Sequence, residues 1–138
     1  MAADVIELPY PPSLNHYWRH VMVGRRPATL ISREGRAFRT RVCALLAADA
    51  GGGLIRKPPA GGRIALAMDA FPPDRRRRDL DNLIKATADA LQHAGVYEDD
   101  SQIDLLAIRR REPVTGGRLD VRIEPLPQAH CPLCGAGR

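Results

Sequence analysis

Alternating apolar and polar residues mark the strands of this chain. In the clearest run, residues 63–71, one side is formed by Ile64, Leu66, Met68 and Ala70. A period of two is typical of a strand with one buried face. Residues 5–8, 103–111 and 119–123 carry shorter apolar runs, so four strands are predicted in all. The five residues 113–117 between the last two runs suit a hairpin turn, and those two strands are expected to pair.

Apolar residues at steps of three and four predict two helices. Ser32, a good N-cap, begins the first, which runs to about residue 50 and has the buried stripe Phe38, Val42, Leu45 and Leu46. The second covers residues 80–93, with its apolar face formed by Leu80, Leu83, Ile84, Ala88 and Leu91. Gly95 follows where a left-handed cap favours a residue without a Cβ. Asp79 is expected to be the N-cap, because it and Asp81 cannot share a helical face.

The remaining segments complete a single domain. Residues 13–20 are predicted to be a loop, and residues 21–31 a loose hairpin with its tip at residues 24–27. Together the elements predict an α+β domain over residues 1–125, with a mixed sheet of about four strands and two helices. The apolar pattern stops there, so residues 126–138 are interpreted as a C-terminal tail that we expect to be flexible.

Composition narrows the choice of partner. The chain has 21 basic and 16 acidic residues among 138, a net charge of +5. Aromatic residues are only 4%, which argues against a stacking platform for single strands and favours duplex backbone as the target. We find no apolar run of membrane-spanning length and no secretory signal at the start. Three cysteines fit a reducing compartment, so we expect a cytoplasmic protein without a membrane partner.

Four consecutive arginines, residues 75–78, lead directly into the acidic residues Asp79 and Asp81. Clustered carboxylate oxygens are the ligands that Mg²⁺ prefers, and arginines attract phosphodiesters. Lys85 lies one helical turn after Asp81, and a further acidic pair, Asp99–Asp100, follows the second helix. Together these residue types indicate metal-dependent hydrolysis of phosphodiesters.

A purely structural interpretation of the same residues stays open. Acidic side chains near a helix N-terminus often cap the helix and suit its dipole. Lys85 can form an ordinary ion pair with Asp81, worth only about 0.3–0.5 kcal/mol. The loop at residues 13–20 is either a packed surface crossover or a segment that faces DNA. A DNA-binding protein without catalysis would therefore fit these features too.

At these residues the chain resembles the RusA family of Holliday junction resolvases. The likeness covers about residues 5–125, and its most specific part is the run from Asp74 to Leu83, with Lys85, Ala94–Gly95 and Asp99–Asp100. Outside that core it rests on Pro11–Pro12–Ser13, Asn15, Arg19–His20, Ser32, Glu34–Gly35, Arg39 and the run Gly116–Gly117–Arg118–Leu119.

The resemblance implies a Mg²⁺-dependent endodeoxyribonuclease, with Mn²⁺ as a possible substitute, that resolves four-way junctions in DNA recombination and repair by paired cleavage. It implies metal binding by Asp79, Asp81 and Asp100 and a catalytic role for Lys85, and it gives Asp99 a lesser role. DNA contacts are expected from Asn15, Arg19, Arg75, Arg76, Arg77, Arg78 and Asn82. Two alternatives remain: a non-catalytic protein that binds branched DNA, and a nuclease for other branched or nicked DNA.

Chain reach predicts a homodimer with shared sites. A helix over residues 80–93 is about 21 Å long, and residues 94–100 could return at most about 20 Å if fully extended. One chain therefore has difficulty bringing Asp79, Asp81 and Asp100 to a single ion. Two such helices packed antiparallel about a two-fold axis would place each helix start beside the other's end.

The tail carries an isolated Cys-x-x-Cys, Cys131 and Cys134. Two cysteines at this spacing are half of a tetrahedral zinc site. The family resemblance does not extend to them. Two interpretations stay open: a disordered tail, or Zn²⁺ shared between subunits or bound with His130.

Overall fold

The computed structural model describes residues 5–49 and 61–127. Its strands are β1 (Ile6–Leu8), β2 (Trp18–Val23), β3 (Arg26–Ile31), β4 (Ile64–Phe71), β5 (Ile103–Arg110) and β6 (Arg118–Pro125). Its helices are α1 (Leu14–Tyr17), α2 (Arg33–Asp49) and α3 (Ile84–His93), with 3-10 turns at Asp81–Leu83 and Asp100–Gln102. Residues 50–60 and the tail from residue 128 onward, including Cys131 and Cys134, lie outside the described residues.

Four strands form one mixed sheet in the order β1-β6-β4-β5, which confirms the predicted α+β class. The central strand β4 is antiparallel to β6 and parallel to β5. The parallel pair is joined through α3, the connection that parallel strands require. β2 and β3 form a second, two-stranded sheet, so the predicted hairpin is confirmed with longer strands than expected.

The predicted hairpin between the last two strands is wrong, because β4 lies between β5 and β6. The chain after β5 instead crosses the end of β4, where Arg111 N donates to Ala70 O at 2.8 Å and Val114 N donates to Pro72 O at 2.9 Å. A five-residue loop suits a hairpin but equally allows this short crossover. The loop length therefore did not determine which strand β6 pairs with.

The hydrophobic core joins one face of β4 to α2 and α3. Ile64, Leu66, Met68 and Ala70 are all buried, as the alternation predicted. The buried stripe of α2 is confirmed for Phe38, Val42 and Leu46. It is wrong for Leu45, which is 42% exposed. The buried positions of α2 are Gly35, Phe38, Val42 and Leu46, a face narrower than the usual apolar face of a helix, and Leu45 lies beside it.

The start of α3 also differs from the prediction. A tight 3-10 turn, Asp81–Leu83, precedes the helix, and its N-cap is Leu80, which makes no side-chain capping bond. Asp79 is therefore not the N-cap. At the other end, Gly95 has φ +78° and its N–H donates to Gln92 O at 3.0 Å, which confirms the glycine cap.

The segment predicted as a loop at residues 13–20 is partly regular. Its first half forms the short helix α1, and β2 begins at Trp18. Tyr17 is fully buried, and its carbonyl accepts a bond from Ser32 N at 2.8 Å. Ser32 Oγ accepts from Gly35 N at 3.0 Å, so Ser32 caps α2 as predicted. These bonds fasten the base of the β2–β3 hairpin to α2.

No helix within residues 5–49 or 61–127 is long and apolar enough to cross a membrane.

Candidate active site

The arginine run lies in a turn between β4 and α3 that Asp74 organises. Asp74 Oδ1 accepts from the backbone N–H of Arg76 at 2.9 Å and from the Arg78 guanidinium at 2.5 Å. The bond from Arg78 is the main reason that the pKa of Asp74 falls to about 2. Arg110 of β5 donates to the carbonyl of Arg78 and ties this turn to the sheet. We call residues 74–78 the arginine turn.

The four arginines of this turn are not equivalent. Arg78 is held by Asp74, and Arg76 lies 3.7 Å from the same carboxylate. Arg75 is 85% exposed and only 3.9 Å from Glu112. Arg77 is exposed and forms no ion pair with any residue in the described ranges. Of the run, Arg77 is therefore the arginine most available to bind a phosphate.

A cavity of about 430 Å³ opens beside the arginine turn. We call it the site cavity. Its walls come from three parts of the chain: residues before and within α1, the arginine turn and the start of α3. They are Tyr10, Pro11, Ser13, Asn15, His16, Pro73, Arg77, Arg78, Asp79, Asn82 and Leu83. The fold thus brings the predicted DNA contacts Asn15, Arg77, Arg78 and Asn82 together with the predicted metal ligand Asp79.

Other predicted site residues lie outside this cavity wall. Arg75 and Arg76 are exposed on the same turn, and Arg19 is exposed on β2. Asp81 is exposed in the 3-10 turn before α3, two residues after Asp79. Exposed carboxylates of this kind are chemically suited to a hard cation such as Mg²⁺.

Lys85 lies between two carboxylates on the exposed side of α3. Its Nζ is 2.9 Å from Asp89 Oδ1 and 3.3 Å from Asp100 Oδ2. The expected ion pair with Asp81 is not formed, because Lys85 turns toward the following helical turn. The bond to Asp89, and then that to Asp100, raises the pKa of Lys85. Asp89 is only 14% exposed, so it is a fixed partner for this side chain.

Asp100 is presented by a small capped turn. Asp99 caps the 3-10 turn through a bond from Ser101 N to its Oδ1 at 2.8 Å. Gln92 Oε1 of α3 accepts from Asp100 N at 3.2 Å, which holds this turn against the helix. Asp99 therefore acts as the cap of this turn. Asp100 carries the carboxylate that faces Lys85.

The position of Asp100 differs from the one that chain reach predicted. Asp100 does not lie beyond the far end of the helix, because the segment after α3 folds back until its carboxylate meets Lys85. Even so, among residues 5–49 and 61–127 no three acidic, histidine or cysteine side chains of one chain come together where they could hold a metal ion. The donor chemistry of Asp79, Asp81 and Asp100 fits a divalent cation, but a single chain does not gather all three.

Sequence reasoning missed four residues that the fold places at or next to this site. Asp89 lies four residues after Lys85, a spacing that puts both on one helical face and could have indicated the pair. Tyr10, Ser13 and His16 line the site cavity, with Ser13 Oγ 3.0 Å from His16 Nδ1. Burial raises the pKa of the Tyr10 phenol. Ser13 and His16 lie in the loop for which a position facing DNA was left open, but neither was named a site residue. No sequence signal pointed to Tyr10, since its position depends on α1 packing near the arginine turn.

The family model of the endodeoxyribonuclease RusA matches residues 9–124, which include the whole site cavity as well as Lys85, Asp89 and Asp100. The chain belongs to the RusA family of endodeoxyribonucleases. A crossover junction endodeoxyribonuclease of Enterobacteria phage HK97 is 40% identical over 119 residues, 86% of this chain and 92% of the relative. The protein of that name from Escherichia coli K12 is 39% identical over 121 residues, 86% of this chain and 91% of the relative. The predicted RusA resemblance is thereby confirmed, and the chain is assigned to a family of nucleases.

Proposed function

We propose that this protein is a Mg²⁺-dependent endonuclease that resolves four-way DNA junctions by paired cleavage, in recombination and repair. The observation that carries the proposal is the site cavity, whose wall combines Asp79 with two amide side chains and with Arg77, an arginine that pairs with no acidic residue in the part of the chain that the structure describes. Such a wall can bind a phosphodiester through Arg77, Asn15 and Asn82 and hold it against a carboxylate. The names of the relatives support the four-way junction as the DNA substrate.

In this proposal the protein's own groups have separate tasks. Asp79 and Asp81, with Asp100, would hold Mg²⁺, or Mn²⁺ in its place. When bound, the ion polarises the scissile phosphate and lowers the pKa of an attacking water. Lys85 supplies positive charge for the developing charge on the phosphate or the leaving oxygen. Asp89 keeps the ammonium of Lys85 in place when Asp100 is engaged elsewhere.

We further propose that the protein acts as a homodimer whose sites are completed across the two subunits. The separation of the three carboxylates within one chain supports this arrangement. Two-fold symmetry also gives two equivalent sites, which suits a junction that needs two symmetric cuts.

A comparison of DNA substrates tests the function. We expect cleavage of a synthetic four-way junction in Mg²⁺ and Mn²⁺, much weaker cleavage of three-way and linear duplexes, and none in chelator. Labelled strands should show paired cuts placed symmetrically about the branch point. Tight junction binding without metal-dependent cleavage would indicate a non-catalytic binding protein. Equal cleavage of three-way and nicked DNA would indicate a nuclease for branched DNA in general.

The unequal arginines give a second prediction. Replacing Arg77 by alanine should flatten the salt dependence of junction binding, with the log–log slope reduced by roughly 0.9 for one lost duplex phosphate contact. Arg63→Ala is the matched control, because Arg63 lies just before the opposite end of β4 and pairs with Asp104. Fluorescence anisotropy over a range of salt concentrations measures both slopes. An Arg77→Ala slope equal to that of the unmodified protein would exclude this contact.

A further inference from the structure

The tip of the β2–β3 hairpin carries apolar side chains that the fold leaves uncovered. Met22 is 65% exposed and Val23 is 63% exposed. They are the last two residues of β2, and Gly24, with φ +63°, begins the turn after them. Single exposed apolar residues are ordinary, but Met22 and Val23 are adjacent, so they place one exposed apolar side chain on each face of the ribbon. We call Met22, Val23, Arg25 and Arg26 the hairpin tip.

The charge of the hairpin indicates what this tip contacts. Residues 18–33 contain Arg19, His20, Arg25, Arg26 and Arg33 and no acidic residue. None of these side chains forms an ion pair with another residue of the described ranges. A second copy of this chain is a poor occupant, because two tips meeting about a two-fold axis would bring arginine against arginine. DNA carries negative charge on its phosphates and presents apolar surfaces between its stacked bases. It therefore matches both the positive charge of the hairpin and the exposed apolar side chains at its tip.

The hairpin also begins close to the site cavity. It continues directly from α1, whose residues Asn15 and His16 line the site cavity. Six strand residues carry the tip about 17 Å from Trp18, at ~3.3 Å per residue. The base is firmly held, since the Trp18 ring packs edge-on against the Tyr17 ring at 5.0 Å and Ile31 packs on the core. An arm of this length that begins beside the site cavity is long enough to contact nucleotides near a phosphate bound there.

We propose that the hairpin tip is a wedge that enters the branch point of the DNA, with Met22 and Val23, one on each face of the ribbon, against the bases on either side and Arg25 and Arg26 on the flanking phosphates. Apolar side chains such as methionine act this way in proteins that open base steps. Unstacking costs least where the stack is already interrupted, as it is at a branch point. This inference rests on the proposed function and adds a means by which the protein distinguishes branched from continuous DNA.

The experiment uses four-way junctions that carry 2-aminopurine beside the branch point, a base whose fluorescence rises when it is unstacked. Chelator keeps the DNA whole, which a gel checks. The unmodified protein should raise the fluorescence, and the double variant Met22→Ser, Val23→Ser should lose that rise. Its junction affinity should fall by no more than about tenfold, because phosphate contacts dominate affinity. Leu30→Ser is the matched control, since Leu30 is 50% exposed on the same hairpin but away from the tip, and it should keep the rise.

Each other outcome has a definite meaning. Tight binding of the unmodified protein without a fluorescence rise, or a rise that survives in the double variant, overturns the wedge and leaves the proposed function intact. Failure to prefer four-way junctions over linear duplex overturns the proposed function itself. A double variant that sediments as a smaller species than the unmodified protein would show that the tip is a subunit contact, which also overturns the wedge. Thermal unfolding confirms that the variants are folded.

Discussion

The Asp81→Asn variant is expected to cut a four-way junction about a thousandfold more slowly while binding it at least as tightly as the unmodified protein. Loss of a metal ligand removes several kcal/mol of transition-state stabilisation, and each 1.4 kcal/mol is about tenfold in rate. Binding should not weaken, because removing a negative charge beside DNA reduces repulsion. Single-turnover cleavage in Mg²⁺ and anisotropy titrations in chelator measure the two quantities separately.

A control variant separates the effect of losing the carboxylate at position 81 from the general effect of losing one negative charge. Glu124→Gln removes the same charge at the far end of the sheet, where Glu124 is exposed on β6 opposite Ala65 of β4, and should leave the cleavage rate unchanged. Normal cleavage by Asp81→Asn in Mg²⁺ would contradict the assignment of Asp81 as a ligand.

Inactive subunits of complementary kinds then test the shared site. One subunit carries Asp79→Asn with Asp81→Asn, and the other carries Asp100→Asn. If the sites are built across two subunits, each mixed dimer contains one intact site, so nicking should return on mixing. If labelled subunits demonstrably exchange and the mixture stays inactive, all three carboxylates act within one chain. That result would agree with the fold-back of Asp100 onto Lys85 and would retain the metal ligands.

Lys85→Gln is expected to lower the maximal cleavage rate by about 10²–10³-fold, the usual cost of removing one preorganised group that stabilises developing charge. Junction binding should change little. Asp89→Asn should have a smaller effect, about 10–100-fold in activity or metal affinity, since it removes only the partner that positions Lys85. In that variant Lys85 is left with Asp100 alone, so Lys85 should compete more strongly with the metal for this carboxylate.

The Mg²⁺ dependence distinguishes positioning from general damage. Asp89→Asn should raise the Mg²⁺ concentration for half-maximal cleavage, whereas a merely loosened fold would lower the rate without that shift. Glu98→Gln is the control, because Glu98 is an exposed acidic residue close to the same turn. Isothermal titration of Mn²⁺ gives a second measure of metal affinity without turnover. A Lys85→Gln variant with an undiminished rate would show that Lys85 only joins α3 to the Asp100 turn.

Local regularities allowed much of this fold to be predicted from sequence. The alternation at residues 63–71 and the steps of three and four in α3 each correspond to one buried face, so β4 and α3 lie where the pattern predicted. Gly95 ends α3 through its positive φ, which glycine adopts easily because it has no Cβ. This property belongs to the residue type and is therefore visible in the sequence. The errors concern choices among partners: the strand beside β6, the burial of Leu45 and the group that caps the start of α3.

The site shows the same division. Residue type and spacing pointed to the arginine run, to Asp79 and Asp81 and to Lys85, because charge and metal-ligand chemistry are properties of the side chains themselves. The tertiary structure decided that Arg78 is held by Asp74 while Arg77 lines the site cavity and pairs with no acidic residue among those described. It also turned Lys85 toward Asp89 and Asp100 and brought α1 beside the arginine turn. Such pairings depend on how distant segments pack, and a one-dimensional pattern does not specify them.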